Sequence, residues 1–169
     1  MKPVKLIIGI IARNPDILDQ SVRLLEQTFG AVELRSSIIP WDFSRYYQDE
    51  MGPELLRCWV AHQGLFPPDR LIAFKKSTIA LEAQLKDATG RRRVNLDPGI
   101  LSLHNLILPT TKDYAHRIYL GEGIYAEVTL IYHQGKFQPL PWTYPDYRTA
   151  TCLEFLTVCR NQLIKDGKA

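Results

Sequence analysis

The sequence predicts an α+β fold, and three observations lead to this prediction. Residues 4–12 form a continuous apolar run rich in valine and isoleucine, as expected for a strand buried on both faces. Two amphipathic helical patterns follow at separate places in the chain. Short strand-like runs flank each of them. The resulting order β-α-β-β-α-β over residues 1–97 is the split βαβ, or ferredoxin-like, plan.

The first half of the chain supplies these core elements. Asn14 is suited to cap the first helix, Pro15 to occupy its first position and Gly30 to end it. Residues 31–39 predict the second strand, and residues 55–63 predict the third.

The second helical pattern begins at the turn-forming residues 67–69 and is expected to end at Gly90. Glu82 and Lys86 have the spacing of an ion pair on its solvent side. Residues 93–96 then predict the fourth strand.

Residues 95–99 (Asn-Leu-Asp-Pro-Gly) have the order of a type II turn, with proline at the first corner and glycine at the second. Asp97 stands at the entry of this turn. It either caps the turn or, as a carboxylate fixed at a strand end, serves as an acid, a base or a metal ligand.

An aromatic and acidic insertion occupies residues 41–53, where a ferredoxin-like core needs only a tight hairpin. The pattern predicts a short helix capped by Asp42 and stopped by Gly52, with Tyr46 and Glu50 on one face. Two uses fit this pattern: packing against the C-terminal part, and covering a site.

We expect residues 98–169 to extend or cover the first sheet, so that residues 1–169 form a single α+β domain with a hairpin and a final helix. Thr151 and Glu154 have capping-box spacing, so that helix is predicted to begin near Thr151. Cys152 and Cys159 share its apolar face, as small buried hydrophobes do. Three cysteines, an odd number in a chain of this size, do not make a disulfide framework, and the lack of a Cys-x-x-Cys pair argues against a zinc site.

The hairpin is predicted around a three-residue turn at residues 121–123. This register pairs Leu120 with Ile124, Tyr119 with Tyr125, Ile118 with Ala126 and Arg117 with Glu127. One face then carries Ile118, Leu120, Ile124, Ala126, Val128 and Leu130, and the other carries Arg117, Tyr119, Tyr125, Glu127 and Thr129. The second face is either a ligand platform or an ordinary solvent face with one salt bridge.

His116 falls on the apolar side in the same register, opposite Val128. We therefore expect a histidine at the edge of the core, hydrogen-bonded to backbone. The alternative is a divalent metal site in which His116 joins Asp97 and Glu127, with Lys112 and Asp113 just upstream.

Residues 139–148, which we call the proline loop, contain three prolines and three aromatic residues. Such a loop is stiff and loses little entropy on ordering, so it can hold Tyr144, Asp146 and Arg148 in fixed positions. The sequence predicts that the proline loop forms one wall of a site.

Composition narrows the classes of function. A net charge of +3 favours an anionic ligand but falls short of a dedicated nucleic-acid binder. The three arginines at residues 91–93 are either a solvated turn or a contact for RNA phosphate. No apolar run approaches the ~20 residues of a membrane helix, so we expect a cytoplasmic protein. The motifs GxxxxGK[ST], GxGxxG, GxSxG and HExxH are missing.

Several segments carry a resemblance to a known family: Glu50-Met-Gly52, Asn95-Leu-Asp-Pro-Gly99, His116-Arg-Ile-Tyr-Leu120, Gly123-Ile-Tyr-Ala-Glu-Val-Thr-Leu130 and Pro141-Trp-Thr-Tyr-Pro-Asp-Tyr-Arg148. They resemble the bacterial domain-of-unknown-function family 4416 over nearly the whole chain. The resemblance implies a bacterial cytoplasmic protein and no particular activity. Family members are often labelled "GTP-binding protein", whereas this chain lacks the phosphate loop and its lysine.

These observations lead to a first hypothesis, a binder or enzyme for a small anionic ligand such as a nucleotide or a phosphorylated metabolite. In this hypothesis Lys112, Arg117 and Arg148 hold the anion, Tyr119, Tyr125 and Tyr144 pack on a ring, and Asp97, Glu127 or Asp146 supplies acid-base or metal chemistry. It requires a pocket where Arg117, Glu127 and Arg148 converge. The alternatives are an RNA-binding module that stacks bases on its sheet aromatics and a partner-binding protein.

Overall fold

An antiparallel sheet of nine strands forms the centre of the computed structural model, which describes residues 2–167. The strands are β1 (Lys5–Ala12), β2 (Val32–Arg35), β3 (Ile39–Pro40), β4 (Leu56–His62), β5 (Val94–Leu101), β6 (Asn105–Thr110), β7 (Ile118–Gly121), β8 (Ile124–His133) and β9 (Lys136–Pro139). The helices are α1 (Pro15–Phe29), α2 (Gln48–Met51), α3 (Leu71–Gln84) and α4 (Ala150–Asp166). Neighbouring strands follow the order β2-β4-β1-β5-β6-β8-β7, with β3 on β4 and β9 on β8.

Helix α1 forms as predicted. The Oδ1 atom of Asn14 accepts a hydrogen bond from the backbone N–H of Ile17 at 3.0 Å. Gly30 ends the helix with φ of +93° and donates its N–H to the carbonyl of Glu26 at 2.9 Å. The helix is therefore fixed at both ends by local sequence.

The central strand β1 is buried on both faces, as its apolar run predicts. Leu6, Ile8 and Ile10 pack against α1 and α3 on one face. Ile7 packs on the opposite face in a second cluster that includes Phe155 of α4. Helices thus cover both sides of the middle of the sheet.

Helix α3 differs from the prediction in its bounds and in the position of Glu82, which was expected on the solvent side. A short 3-10 turn at Pro68–Arg70 precedes it, and it ends at Gln84, before Gly90. The predicted ion pair on the solvent side is wrong, because Glu82 is only 8% exposed. Its Oε1 atom accepts the backbone N–H of Leu96 at 2.6 Å. Strand β6 pairs with β5 only at residues 100 and 101, so on the β6 side the N–H of Leu96 has no strand to bind.

The type II turn predicted at residues 95–99 is wrong, because β5 continues through Asp97, Pro98 and Gly99. A Cβ atom on Gly99 would lie 2.6 Å from the Leu108 side chain, so this glycine allows a close approach of β6. Pro98 precedes the residues at which β6 pairs with β5, and a proline without an N–H is tolerated there. Strand β5 also crosses position 97, the expected end of the first part of the domain.

Residues 31–39 divide into two short strands, β2 and β3. The helix predicted in residues 41–53 is limited to α2, and the residue before α2 is Tyr47 rather than Asp42. Trp41 explains the difference, because its backbone N–H bonds Leu55 and its indole N–H bonds the carbonyl of Ser44 at 3.1 Å. Residues 41–47, which we call the Trp41 loop, are therefore held in a non-helical conformation.

The hairpin register is confirmed at two of its predicted pairs, Ile118 with Ala126 and Tyr119 with Tyr125. The predicted pair of Leu120 with Ile124 is wrong, because the register shifts and Gly121 pairs with Ile124. Ile118 and Leu120 are 67% and 40% exposed, since β7 is an edge strand.

Helix α4 begins one residue earlier than predicted, at Ala150. Its cap is Thr149, whose hydroxyl accepts the N–H of Cys152 at 3.3 Å, and not Thr151. Cys152 and Cys159 are buried free thiols, as predicted. Across residues 2–167 the helices are too short or too polar to span a bilayer.

Candidate functional site

A cavity of about 480 Å³ lies on the face of the sheet that α4 also covers. Its floor is formed by side chains from five adjacent strands: Ile11, Arg57, Asp97, Leu108 and Glu127. Its walls are the Trp41 loop, residues 109–112, the proline loop and one side of α3. This volume is in the range of small-molecule sites.

Aromatic rings from two loops face this cavity. The Trp41 loop contributes Trp41, Phe43, Tyr46 and Tyr47, and the proline loop contributes Tyr144 and Tyr147. At the mouth, the ammonium of Lys112 lies 4.3 Å from the centre of the Tyr46 ring and bonds its hydroxyl at 3.2 Å. Burial is the main cause that raises the pKa of Tyr47, Tyr144 and Tyr147, so these phenols remain hydrogen-bond donors at neutral pH.

Arg57 is the most unusual residue of the floor, since its side chain is only 1% exposed. Its Nη2 atom lies 2.8 Å from a carboxylate oxygen of Asp146. The guanidinium also packs against Trp59 at 4.7 Å and Tyr147 at 5.3 Å. Within residues 2–167, neither its Nε nor its Nη1 has a hydrogen-bond partner, and the Tyr147 hydroxyl also lacks one. A buried donor without an acceptor costs roughly 1–3 kcal/mol.

Gly9 of β1 makes room for this arginine. A Cβ atom at position 9 would lie 2.7 and 2.9 Å from the two terminal guanidinium nitrogens of Arg57 and 2.9 Å from the Tyr147 hydroxyl. Any larger residue would displace them. The glycine inside the apolar run of β1 therefore serves the close approach of two polar side chains.

Asp97 lies at the centre of the cavity floor and contacts groups from three elements. Asn95 donates to its Oδ2 atom at 2.7 Å. Nη1 of Arg57 lies 3.8 Å from Oδ2, and Nζ of Lys75 lies 3.7 Å from Oδ1. Lys75 comes from α3, on the other face of the sheet, and reaches Asp97 where β6 has separated from β5.

Arg92 joins the Trp41 side of the cavity to the start of β5. Its Nη2 atom lies 2.7 Å from Glu50, and its Nη1 atom lies 4.0 Å from Glu82. Arg93 donates to the carbonyl of Leu85 at 2.7 Å. The arginines at residues 91–93 are therefore not simply a solvated turn, because two of them bind neighbouring elements.

Glu82 has a pKa raised from its ordinary value of 4.5 to about 7, mainly because it is buried. A carboxyl with a raised pKa keeps its proton in the folded protein at a pH where the unfolded chain has lost it. The stability it contributes is present below about pH 4.5 and is lost as the pH rises through about 7.

Glu82→Gln is therefore expected to raise the free energy of unfolding by roughly 1–3 kcal/mol at about pH 8 and to change it little near pH 4. Urea unfolding at both values measures this difference. Glu154→Gln, on the exposed side of α4, is the control. Equal effects of the two substitutions at both pH values would contradict the assignment.

Glu127 is held by three side chains. Its Oε2 atom accepts from Nε2 of His116 at 2.8 Å and from Nε of Arg117 at 2.9 Å, and Oε1 accepts from Thr129 at 3.2 Å. The backbone hydrogen bond expected for His116 is wrong; this imidazole bonds Glu127 and stacks on Trp142 at 4.6 Å. Among residues 2–167, no three His, Cys, Asp or Glu side chains are placed to hold a metal ion.

The structure places half of the sequence-predicted site residues at the cavity. Those that line it are Tyr46, Asp97, Lys112, Glu127, Tyr144 and Asp146. His116 and Arg117 bind Glu127, and Glu50 binds Arg92. The rings of Tyr119 and Tyr125 contact each other at 5.1 Å on the hairpin.

Arg148 does not converge with Arg117 and Glu127, so that expectation is wrong. Its guanidinium donates to the carbonyls of Thr143 at 2.9 Å, Leu140 at 2.9 Å and Pro141 at 3.1 Å. The carbonyls of a loop that bends sharply around prolines need donors, and Arg148 supplies them. It fixes the shape of the proline loop.

Sequence reasoning missed several residues of the cavity: Tyr47, Arg57, Lys75, Glu82, Arg92, Asn95 and Tyr147. For Arg57 a signal exists, because it is the one arginine within the apolar third strand. A charged residue in a buried strand needs a partner. For Lys75 and Glu82 the helical pattern is misleading, because it places both residues on the solvent side of α3 and not at the cavity.

The fold and the site define an α+β protein with an aromatic-walled polar cavity on its sheet. The family described as domain of unknown function DUF4416 matches residues 2–163, so the chain belongs to that family. No curated protein matches the chain. No solved structure matches it either.

Proposed function

We propose that the cavity binds a small anionic ligand, such as a nucleotide or a phosphorylated metabolite, and that the protein is a binder of this ligand or an enzyme acting on it. The observation that carries this proposal is an excess of hydrogen-bond donors around the cavity. An acceptor-rich ligand would fill that excess.

The donors and acceptors can be compared group by group. The four carboxylates of the lining each already face a donor: Glu82, Asp97, Glu127 and Asp146. By contrast, among the described residues the ammonium of Lys75 has no hydrogen-bond acceptor, and that of Lys112 has only a phenol oxygen. Two nitrogens of Arg57, Nε and Nη1, also have no acceptor among the described residues.

The anion is best placed at the mouth, beside Lys112. This lysine has no carboxylate partner within residues 2–167, whereas on the floor an anion would meet the charge of Asp97. A planar ring of the ligand would then pack on the aromatic side chains that the Trp41 loop and Tyr144 contribute to the lining. This arrangement favours a phosphorylated ligand with a ring.

The binding proposal is tested by a thermal-shift and calorimetric screen with nucleoside phosphates, sugar phosphates and their unphosphorylated counterparts. A ligand at about 100 times its dissociation constant adds about 2.7 kcal/mol of stability and raises the melting temperature by several degrees. Only the phosphorylated compounds are expected to do so.

Lys112→Gln is expected to weaken binding of the phosphorylated compound about tenfold, because it removes the ammonium beside the anion. Lys136→Gln, an exposed lysine of β9 outside the cavity, should leave the affinity unchanged. Calorimetric titration measures both. Equal losses in the two variants would place the anion elsewhere.

An RNA-binding module is the second candidate. Tyr119 and Tyr125 support it, because they form an aromatic pair on the hairpin, outside the cavity. The core of the sheet, however, is covered on both faces, which leaves little open surface for stacked bases. Binding of labelled RNA that falls steeply with salt, without any response to small phosphates, would favour this candidate.

A finer description of the fold is part of the same proposal: we assign a ferredoxin-like plan to strands β1, β2, β4 and β5 with helices α1 and α3. The strand order β2-β4-β1-β5 supports it, as do α1 and α3 on one face of these strands. The hairpin and α4 would then be additions that build the cavity. A cytoplasmic location remains an expectation.

A further inference from the structure

We propose that Glu82 takes part in ligand binding as a protonated carboxyl group, which donates a hydrogen bond from the wall of the cavity to an acceptor atom of the ligand. The inference rests on the proposed function. It narrows the ligand class to phosphorylated compounds that carry a further hydrogen-bond acceptor, and it couples binding to the uptake of a proton.

Glu82 reaches the cavity from α3, which forms one of its walls. The side chain lines the cavity, although the residue is only 8% exposed. One carboxyl oxygen, Oε1, accepts the backbone N–H of Leu96 at 2.6 Å. The other, Oε2, accepts no hydrogen bond within residues 2–167, yet it is not shielded from solvent as Nη1 of Arg57 is. Oε2 is therefore the atom that a ligand can reach.

The charges around Glu82 leave it without a cation of its own. Within residues 2–167, the one cationic group within 4.0 Å of its carboxyl is Arg92, whose Nη1 atom lies 4.0 Å from Oε2. Arg92 binds Glu50 more closely, at 2.7 Å. Lys75 of the same helix lies 3.7 Å from Asp97. The cations beside Glu82 are thus engaged with other carboxylates.

This environment favours the protonated form of Glu82. Burial is the largest cause that raises its pKa to about 7, and the negative charge of Asp97 adds to the rise. The N–H of Leu96 and the charges of Lys75 and Arg92 oppose it. A protonated carboxyl has one O–H donor, which belongs on Oε2 because Oε1 already accepts from Leu96.

The position of Glu82 determines what the ligand must present to it. Lys112 and α3 belong to different walls of the cavity, so a ligand with its phosphate beside Lys112 meets Glu82 with another group. An O–H donor pairs with a carbonyl oxygen, a ring nitrogen or a hydroxyl, and not with an ammonium. The ligand and the proton on Glu82 therefore bind together, and each raises the affinity for the other.

Binding is expected to weaken as the pH rises through about 7, because the free protein then loses the proton that the ligand requires. The probes are ribose 5-phosphate and adenosine 5′-monophosphate. Their affinities should fall about tenfold or more between about pH 7 and pH 9. Phosphate monoesters lose their second proton near pH 6, so the charge of the probes changes little over this range.

Glu82→Gln separates this carboxyl from every other group that titrates. The amide keeps an acceptor for Leu96 and a donor for the ligand, and it does not ionise. We expect the affinity of this variant to be close to that of the wild type at pH 7 and to stay nearly constant up to pH 9. Glu154→Gln, on the exposed side of α4, should keep the wild-type fall. The same fall in Glu82→Gln as in the wild type would overturn the assignment.

Proton uptake by the wild-type protein is a second measurement, which does not depend on a variant. Calorimetric titration at about pH 7.5 in PIPES and in Tris, whose ionisation enthalpies differ, gives the number of protons taken up. With a pKa of about 7, Glu82 should take up about three quarters of a proton for each ligand bound. Equal binding enthalpies in the two buffers would overturn the inference.

The outcomes distinguish this inference from the proposal on which it rests. If the phosphorylated compounds bind equally well at pH 7 and pH 9 and take up no proton, the anion proposal stands and the role of Glu82 is wrong. If adenosine and ribose bind as tightly as their phosphates, with a proton uptake that Glu82→Gln abolishes, the role of Glu82 stands and the anion proposal is wrong. No binding by any probe contradicts both.

Discussion

Replacing Arg57 with methionine is expected to lower the free energy of unfolding by about 3–5 kcal/mol. The substitution leaves the carboxylate of Asp146, which is 3% exposed, buried without its cation. Burial already raises the pKa of Asp146, and the charge of Arg57 opposes that rise. Without the arginine, the carboxyl must either stay ionised at high cost or take up a proton.

Urea unfolding of Arg57→Met at neutral pH measures this loss. The control is Arg35→Met, because Arg35 lies 3.4 Å from Asp19 in an exposed pair worth less than about 1 kcal/mol. The double variant Arg57→Met with Asp146→Leu removes both charges and should recover much of the stability. If Arg57→Met unfolds no more easily than Arg35→Met, the buried ion pair does not hold the floor together.

Glu127→Ala is the second substitution with a large expected effect, a loss of about 3–5 kcal/mol. Arg117 and His116 both donate to the same carboxylate oxygen, and neither has another acidic partner within residues 2–167. Arg117 also donates to the hydroxyl of Tyr144 at 2.9 Å. Loss of Glu127 should therefore loosen the proline loop as well as destabilise the fold.

Thermal and urea unfolding measure the loss of stability. The rate of limited proteolysis within residues 139–148 measures how far the proline loop has loosened. Glu154→Ala on the exposed side of α4 is the control and should change stability by no more than about 0.5 kcal/mol. A proline loop that resists protease equally in wild type and Glu127→Ala would show that Glu127 does not support it.

Local sequence patterns predicted the structure correctly where it is determined by residues close together in the chain. Asn14 and Gly30 fix the ends of α1, and the alternation along the hairpin correctly joined Arg117 to Glu127. In these cases the interacting groups lie in one helix or on two strands joined by a short turn.

Positions set by contacts between distant segments were not predictable in the same way. Asp97-Pro-Gly99 has the composition of a turn, yet its pairing with residues 7–9 of β1 makes it part of a strand. Glu82 has the spacing of a solvent-side residue, yet the separation of β6 from β5 draws it inward to Leu96. Both outcomes depend on which strands lie beside β5, which no local pattern encodes.

The residues of the cavity also divide into those that the local sequence identifies and those that depend on contacts between distant segments. Asp97, Glu127 and Asp146 stand out in the sequence as fixed carboxylates, and all three line the cavity. Arg57 could have been identified from its place in an apolar strand, together with Gly9 in the strand beside it. Lys75 could not, because its contact with Asp97 needs the gap between two strands.

The central claim is that the ligand site is the cavity between the Trp41 loop and the proline loop. Two-dimensional amide NMR of the labelled protein, titrated with ribose 5-phosphate and adenosine 5′-monophosphate, tests it most directly. We expect resonance shifts concentrated at Tyr47, Asp97, Lys112 and Tyr144, with little change at Tyr119 and Tyr125. Shifts confined to the hairpin, or a spectrum that does not respond to either compound, would contradict the claim.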